Sequence, residues 1–182
     1  TGVTSGLVMD ANPATGESNH FRNLRMGILA QNSTFAVRNS VFSDILQAYK
    51  PAGYPGPSQT GRAIYTDNCT VDVLGSGIAA GEPTVAFNNT TIGIWAERST
   101  ITAKECYMRD VATGIRVNGG LTNGYKLLEN NIEASAQGIF VTAQSGLPTA
   151  SSISKNTVTV TGANSHGIIL LNNKNLATHT SY

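Results

Sequence analysis

Apolar residues in this chain fall in short runs rich in Ile and Val, broken by Gly and Asn, and one phrase keeps returning. Gly-Ile, then a residue of variable type, then a small or apolar one stands at Gly27-Ile28-Leu29-Ala30, Gly93-Ile94-Trp95-Ala96, Gly114-Ile115-Arg116-Val117, Gly138-Ile139-Phe140-Val141 and Gly167-Ile168-Ile169-Leu170. Ala63-Ile64-Tyr65-Thr66 is a looser copy. From Gly93 onward the intervals are 21, 24 and 29 residues. Runs this short, β-branched and bounded by turn formers predict strands rather than helices. A strand-like core repeated at twenty-odd residues predicts a solenoid, in which each repeat buries its apolar face against the next.

A second phrase alternates with the first: Arg38-Asn39-Ser40-Val41, Asp67-Asn68-Cys69-Thr70, Glu129-Asn130-Asn131-Ile132 and Lys155-Asn156-Thr157-Val158, with Lys104-Glu105-Cys106-Tyr107 in the same slot. Each repeat therefore carries at least two strands separated by corners. Asn suits a corner because it tolerates left-handed backbone angles, and stacked Asn side chains can bond one another in a ladder. The Gly before each Ile is expected at another corner, bending the chain tightly. Strands are predicted over Arg22–Met26, Gly27–Ala30 and Thr34–Val37, and the only helical candidate is a weak one, Ser43–Ala48.

The chain is read as a single domain over residues 1–182. Residues 1–20 form an irregular lead-in, and residues 46–60 a Pro/Gly-rich insertion carrying Tyr49 and Tyr54. Smaller insertions are expected at 75–83, 119–124 and 142–151. The chain opens in a turn-rich segment and closes soon after a repeat without an evident polar cap, which solenoids need. A mature product or a piece of a longer parent protein is the expectation.

Only 13% of the residues are charged and the net charge is +1. That balance gives no general pull toward nucleic acid or anionic lipid. At 40% hydrophobic the chain is too apolar for intrinsic disorder. No stretch approaches the roughly 20 apolar residues of a membrane span. Cys69 and Cys106 occupy the same slot of the second phrase, hence one expected column, but a separation of two repeats would leave two buried, unpaired thiols. Asn32, Asn68, Asn88 and Asn89 head Asn-x-Ser/Thr triplets, read as products of Asn/Thr-rich corners rather than glycan acceptors.

On these alternating phrases the chain, from about Phe21 to Leu176, resembles the right-handed parallel β-helix (pectate-lyase-like) superfamily. The resemblance implies an all-β solenoid of about six to seven coils, with three short parallel sheets around an Ile/Val/Leu/Ala core. It does not imply an activity, because the family's functions are diverse. The Trp-Ile-Asp-His and Arg-x-Pro-x-x-Arg patterns of pectate lyases are absent. Of the polygalacturonase patterns only Thr66-Asp67-Asn68 and His166-Gly167-Ile168 come near, and no Asp-Asp pair occurs. The Tyr-Gly-Phe-Asp-Pro-His signature of alginate epimerases is missing as well. No catalytic residue, cofactor or metal ligand is assigned: the acids are scattered, and His20, His166 and His179 lack metal spacing.

Strand alternation sends each Ile of the first phrase inward and the next residue outward. That outward column reads Leu29, Tyr65, Trp95, Arg116, Phe140 and Ile169, and Tyr65, Trp95, Arg116 and Phe140 are the candidate ligand-binding residues. Three readings stay open. The stripe is covered by the chain's own insertion, or docks another protein or copy, or is a platform on which sugar rings stack while Arg116 reaches hydroxyls or carboxylates.

The expected function is a non-catalytic scaffold or adhesin, secreted or on a bacterial cell surface, with a polysaccharide or surface protein as partner. One rival is a fragment of a polysaccharide lyase or glycoside hydrolase acting on acidic polysaccharide. Its cleft would draw on a cluster of Glu97, Arg98, Lys104, Arg109, Asp110 and Arg116. A trimeric phage tailspike segment is the other.

Overall fold

The computed structural model describes residues 7–9, 18–46, 61–75, 85–119, 124–142 and 151–171. Among them every regular element is a β-strand, and no helix is long and apolar enough to cross a membrane. Nearly all of the 46–60 insertion, the interiors of the three smaller ones, and His179 lie outside the described residues.

All strand pairs are parallel. One sheet stacks six strands in chain order: β1 (Leu7–Met9), β4 (Thr34–Val37), β7 (Thr70–Leu74), β10 (Thr100–Lys104), β12 (Tyr125–Leu128) and β14 (Ser152–Ser154). The second sheet has two arms. One runs from β2 (Asn19–Arg22) through β5 (Ser40–Ile45) and β8 (Val85–Thr90), the other from β3 (Met26–Gln31) through β6 (Arg62–Asp67) and β9 (Ile92–Glu97). Both arms meet the long strands β11 (Tyr107–Asn118) and β13 (Asn131–Thr142), and part again at β15 (Thr157–Val160) and β16 (His166–Leu171). The three expected sheets are therefore two. In β11 and β13 the third corner flattens into a register shift inside one continuous strand.

Register accounts for the core. Ile28, Ile64, Ile94, Ile115, Ile139 and Ile168 stand opposite one another from strand to strand, and the middle four are fully buried. Phe21, Phe42, Phe87, Met108, Ile132 and Val158 form a second inward line. The rings of Phe21, Phe42 and Phe87 stack at 4.7 and 5.0 Å between centroids.

The recurrent Gly has a different cause from the expected one. It lies inside strands, not at a corner, and none of the phrase glycines has a positive φ. A Cβ on Gly27 would meet the Ala63 carbonyl oxygen at 2.6 Å; on Gly93, that of Gly114 at 2.7 Å; on Gly114, that of Gly138 at 2.6 Å; on Gly138, that of Gly167 at 2.6 Å. The glycines are thus set by the close approach of the next strand's backbone. Ala63, fully buried in the same line, marks the largest side chain the position carries. Gly114→Ala, whose Cβ would also press on Ile132 Cγ2, is expected to cost about 1–3 kcal/mol. Gly167→Ala, with Val158 Cγ1 at 4.0 Å the nearest neighbour among the described residues, should stay within about 0.5 kcal/mol in dilute solution. Urea unfolding of the two variants checks the contrast.

The corners do take left-handed residues, and among the described residues seven of the eleven non-glycine positions with positive φ are Asn or Asp, the types with least steric penalty there. The second phrase, however, merges two different corners. Asn32, Asn68 and Arg98 turn the chain out of β3, β6 and β9, whereas Asn39, Glu105, Glu129 and Lys155 turn it out of the six-stranded sheet. At both corners the following side chain bonds the carbonyl two residues back. Ser33, Cys69 and Ser99 do so at the first, and Ser40, Cys106 and Asn156 at the second. Cys69 and Cys106 therefore share a local role but not a column; both are buried and free. Burial pushes the Cys106 thiol up to about 12, so it stays protonated at neutral pH. Ladder rungs are present: Asn68 Nδ2 donates to Asn32 Oδ1 at 2.7 Å and Asn130 Nδ2 to Asn156 Oδ1 at 2.8 Å.

Three further local expectations change. Leu7–Met9 is a strand, and Asn19–Arg22 begins as one, within the stretch 1–20 expected to be irregular. Asn23, at a φ of 56°, breaks the Arg22–Met26 run into a corner. Ser43–Ile45 belongs to β5, not to a helix.

Candidate functional site

The outward column is in register from end to end. Leu29 pairs with Tyr65, Tyr65 with Trp95, Trp95 with Arg116, Arg116 with Phe140 and Phe140 with Ile169. All four candidate ligand residues are therefore neighbours on one face. The next outward position, two residues on, carries Gln31, Asp67, Glu97, Asn118, Thr142 and Leu171. Aromatic and cationic groups thus run beside a polar line.

The rings and guanidiniums interleave. Arg116 Cζ lies 4.3 Å from the Trp95 ring centroid and 5.0 Å from that of Phe140. Arg62 Cζ lies 3.6 Å from Trp95 and 4.7 Å from Tyr65, and the Tyr65 and Trp95 rings meet edge-on at 5.9 Å. Trp95 is thus held by two cations, one from the preceding repeat and one from the following. Each contact is worth about 0.5–2 kcal/mol, toward the upper end where water is excluded. Arg62 is only 3% exposed, and burial lowers its pKa, with the nearby Arg116 adding to the effect. Tyr65 is raised, by burial first and then by Asp67 and Glu97. Neither shift creates a titrating group near neutral pH.

The carboxylates on this face are engaged. Arg98 grips Asp67 in a fork, Nη2 to Oδ2 at 2.6 Å and Nε to Oδ1 at 2.9 Å, which raises the Arg98 pKa. Glu97 Oε2 accepts from Trp95 Nε1 at 3.0 Å and from Asn118 Nδ2 at 2.7 Å. Asn118 Oδ1 in turn accepts from Arg116 Nε at 3.3 Å and Thr142 Oγ1 at 3.1 Å. Asp67 and Glu97 stand opposite each other on adjacent strands. Each spends oxygens on a fixed donor.

The six-charge cluster expected for an enzyme cleft does not assemble. Glu97, Arg98 and Arg116 share the outward face. Lys104 stands at the second corner, paired with Glu105 and Glu129 at 3.1 and 3.6 Å. Arg109 lies on the third face with Asp110 and Glu133 at 3.7 and 3.9 Å. Lys104 ends strand β10 and Arg109 follows corner 105, by which point the chain has left the face that Glu97 occupies. Among the described residues no group of three or more His, Cys, Asp or Glu could hold a metal ion.

Sequence reasoning missed Arg62, Asp67 and Asn118. Arg62 stands three residues before Tyr65, a spacing that strict alternation assigns to the opposite face. Asp67 and Asn118 were in reach, because both lie two residues beyond a column position. No protein-family model, no curated protein and no solved structure matches the chain.

Proposed function

We propose that the chain is a right-handed parallel β-helix of about six coils, acting as a non-catalytic scaffold at a bacterial cell surface or outside the cell, and that its outward face engages glycans. Two or three strands per repeat, each stacked in parallel on its counterpart, fit such a helix. The observation that carries the functional part is the registered stack of Tyr65, Trp95, Arg116 and Phe140. Two features favour binding over turnover: Asp67 and Glu97 are engaged by fixed donors, and the cations a lyase would draw on are spread over three faces. Within the stack, Arg116 and Phe140 are the pair for a sugar to meet, since Trp95 already contacts two guanidiniums. An aliphatic sugar face rests on the Phe140 ring while the Arg116 guanidinium donates to hydroxyls.

The test is a polysaccharide pull-down with the chain and its Arg116→Ala, Phe140→Ala double variant. Retention should fall at least about tenfold, or about 1.4 kcal/mol, with a cooperative melting transition retained, if at a lower temperature. Equal retention would remove the face from the reading, and retention of nothing would leave the scaffold alone. Depolymerisation of any polysaccharide in the panel would overturn the non-catalytic assignment.

A further inference from the structure

The two ends of the strand stack are complementary, and we propose that copies of this chain associate head to tail through them, β14, β15 and β16 of one copy pairing in parallel with β1, β2 and β3 of the next. The partner is a second copy of the same chain, and the interface continues the stacking that already joins one repeat to the next.

Gly167 supplies the first observation. Along its line each glycine is closely approached by the carbonyl of the strand that follows, up to Gly138, whose Cβ would meet Gly167 O at 2.6 Å. At Gly167 itself the nearest described atom is Val158 Cγ1 at 4.0 Å. The glycine leaves room for a following backbone that the described residues do not supply. The second observation is exposure. Ile168 and Leu170 stand opposite Ile139 and Val141, both fully buried, yet are 49% and 47% exposed.

The other end offers the matching half. β1, β2 and β3 are the opposite edges of the same three strand lines. They border an open cavity of about 790 Å³ whose walls include Met9, Phe21, Ile28 and Phe35. Continuing the existing register sets Ile168 against Ile28, Leu170 against Ala30 and the outward Ile169 against the 43% exposed Leu29. Inward meets inward and aliphatic meets aliphatic. Gly27 O of the second copy then arrives where the glycine rule needs a carbonyl. Both strand edges, otherwise templates for pairing, are closed. Because the two surfaces differ and each copy is added along the direction in which the strands already stack, the contact does not close on itself and growth is linear.

The experiment is sedimentation velocity on the whole chain over a wide concentration range, beside an Ile168→Lys, Leu170→Lys double variant. The wild-type weight-average mass should at least roughly double with concentration, with no limiting size, while the variant stays a monomer with an intact melting transition. Should the double variant not fold, Leu29→Lys at the other end is expected to block growth equally. A wild-type chain that stays monomeric throughout overturns the proposal and leaves the edge to residues 172–182 or to a different partner. A species that stops at a dimer or trimer overturns it too, because copies added along the stacking direction always leave a free end for the next.

Discussion

Phe42→Ala is expected to lower stability by about 3–5 kcal/mol, which for a domain of this size is a fall of roughly 6–20 °C in melting temperature. Phe42 has no exposed surface and sits between Phe21 and Phe87, nearly parallel to both, with interplanar angles of 8° and 7°. Truncation forfeits two ring contacts of about 0.5–1.5 kcal/mol each beyond the buried area. It also leaves a cavity that cannot collapse, because β5 is held at its backbone spacing by β2 on one side and β8 on the other. Phe21→Ala should cost less, since Phe21 is at the edge of the line and only partly buried. Equilibrium urea unfolding of both decides it. A Phe42→Ala chain within about 1 kcal/mol of wild type would mean that the neighbouring strands close over the lost ring and the line of rings is not a support of the fold.

That line was not legible in the sequence, and the reason is physical. Phe21, Phe42 and Phe87 are separated by a corner-rich segment and by an insertion, so no fixed interval links them. The Gly-Ile phrase was legible because two independent constraints mark it. The core needs a branched aliphatic, and the approaching carbonyl leaves room for nothing larger than Ala one residue earlier. The outward column followed from it by alternation alone, with its register intact from Leu29 to Ile169. The Asn phrase misled because the two corners solve one local problem in one way. A left-handed residue is followed by a side chain that bonds the carbonyl two back, as Cys69 bonds Asp67 and Cys106 bonds Lys104. Identical local chemistry hid different places in the stack. The same confusion scattered the expected charge cluster, since a residue's face depends on which corner it follows.

Asn130 separates these levels most sharply. Its side chain is fully buried. Oδ1 accepts from the Cys106 N–H at 3.0 Å, and Nδ2 donates to the Ala103 carbonyl at 3.0 Å and to Asn156 Oδ1 at 2.8 Å. Asn130→Leu keeps the size but strands the Cys106 N–H and the Ala103 carbonyl in the core. At about 1–3 kcal/mol per buried group, the expected loss is about 2–6 kcal/mol. Asn130→Asp is the more telling change. An ionised carboxyl still accepts from Cys106, but it loses both donations and turns a charged oxygen toward Asn156 Oδ1. Asn156 cannot turn its amide to help, because its Nδ2 is already given to the carbonyls of Leu127 and Ser154. Burial and this clash of acceptors raise the new carboxyl's folded pKa above its unfolded value of about 3.9. Stability of this variant should therefore be greatest below that unfolded value, where the protonated acid can donate. It should fall as pH rises through the folded pKa. Urea midpoints of the variant and wild type measured from acid to neutral pH give the test. A variant whose deficit does not grow as pH rises would show that the Asn130–Asn156 rung yields to a charge, and that the ladder is a consequence of the corner rather than one of its supports.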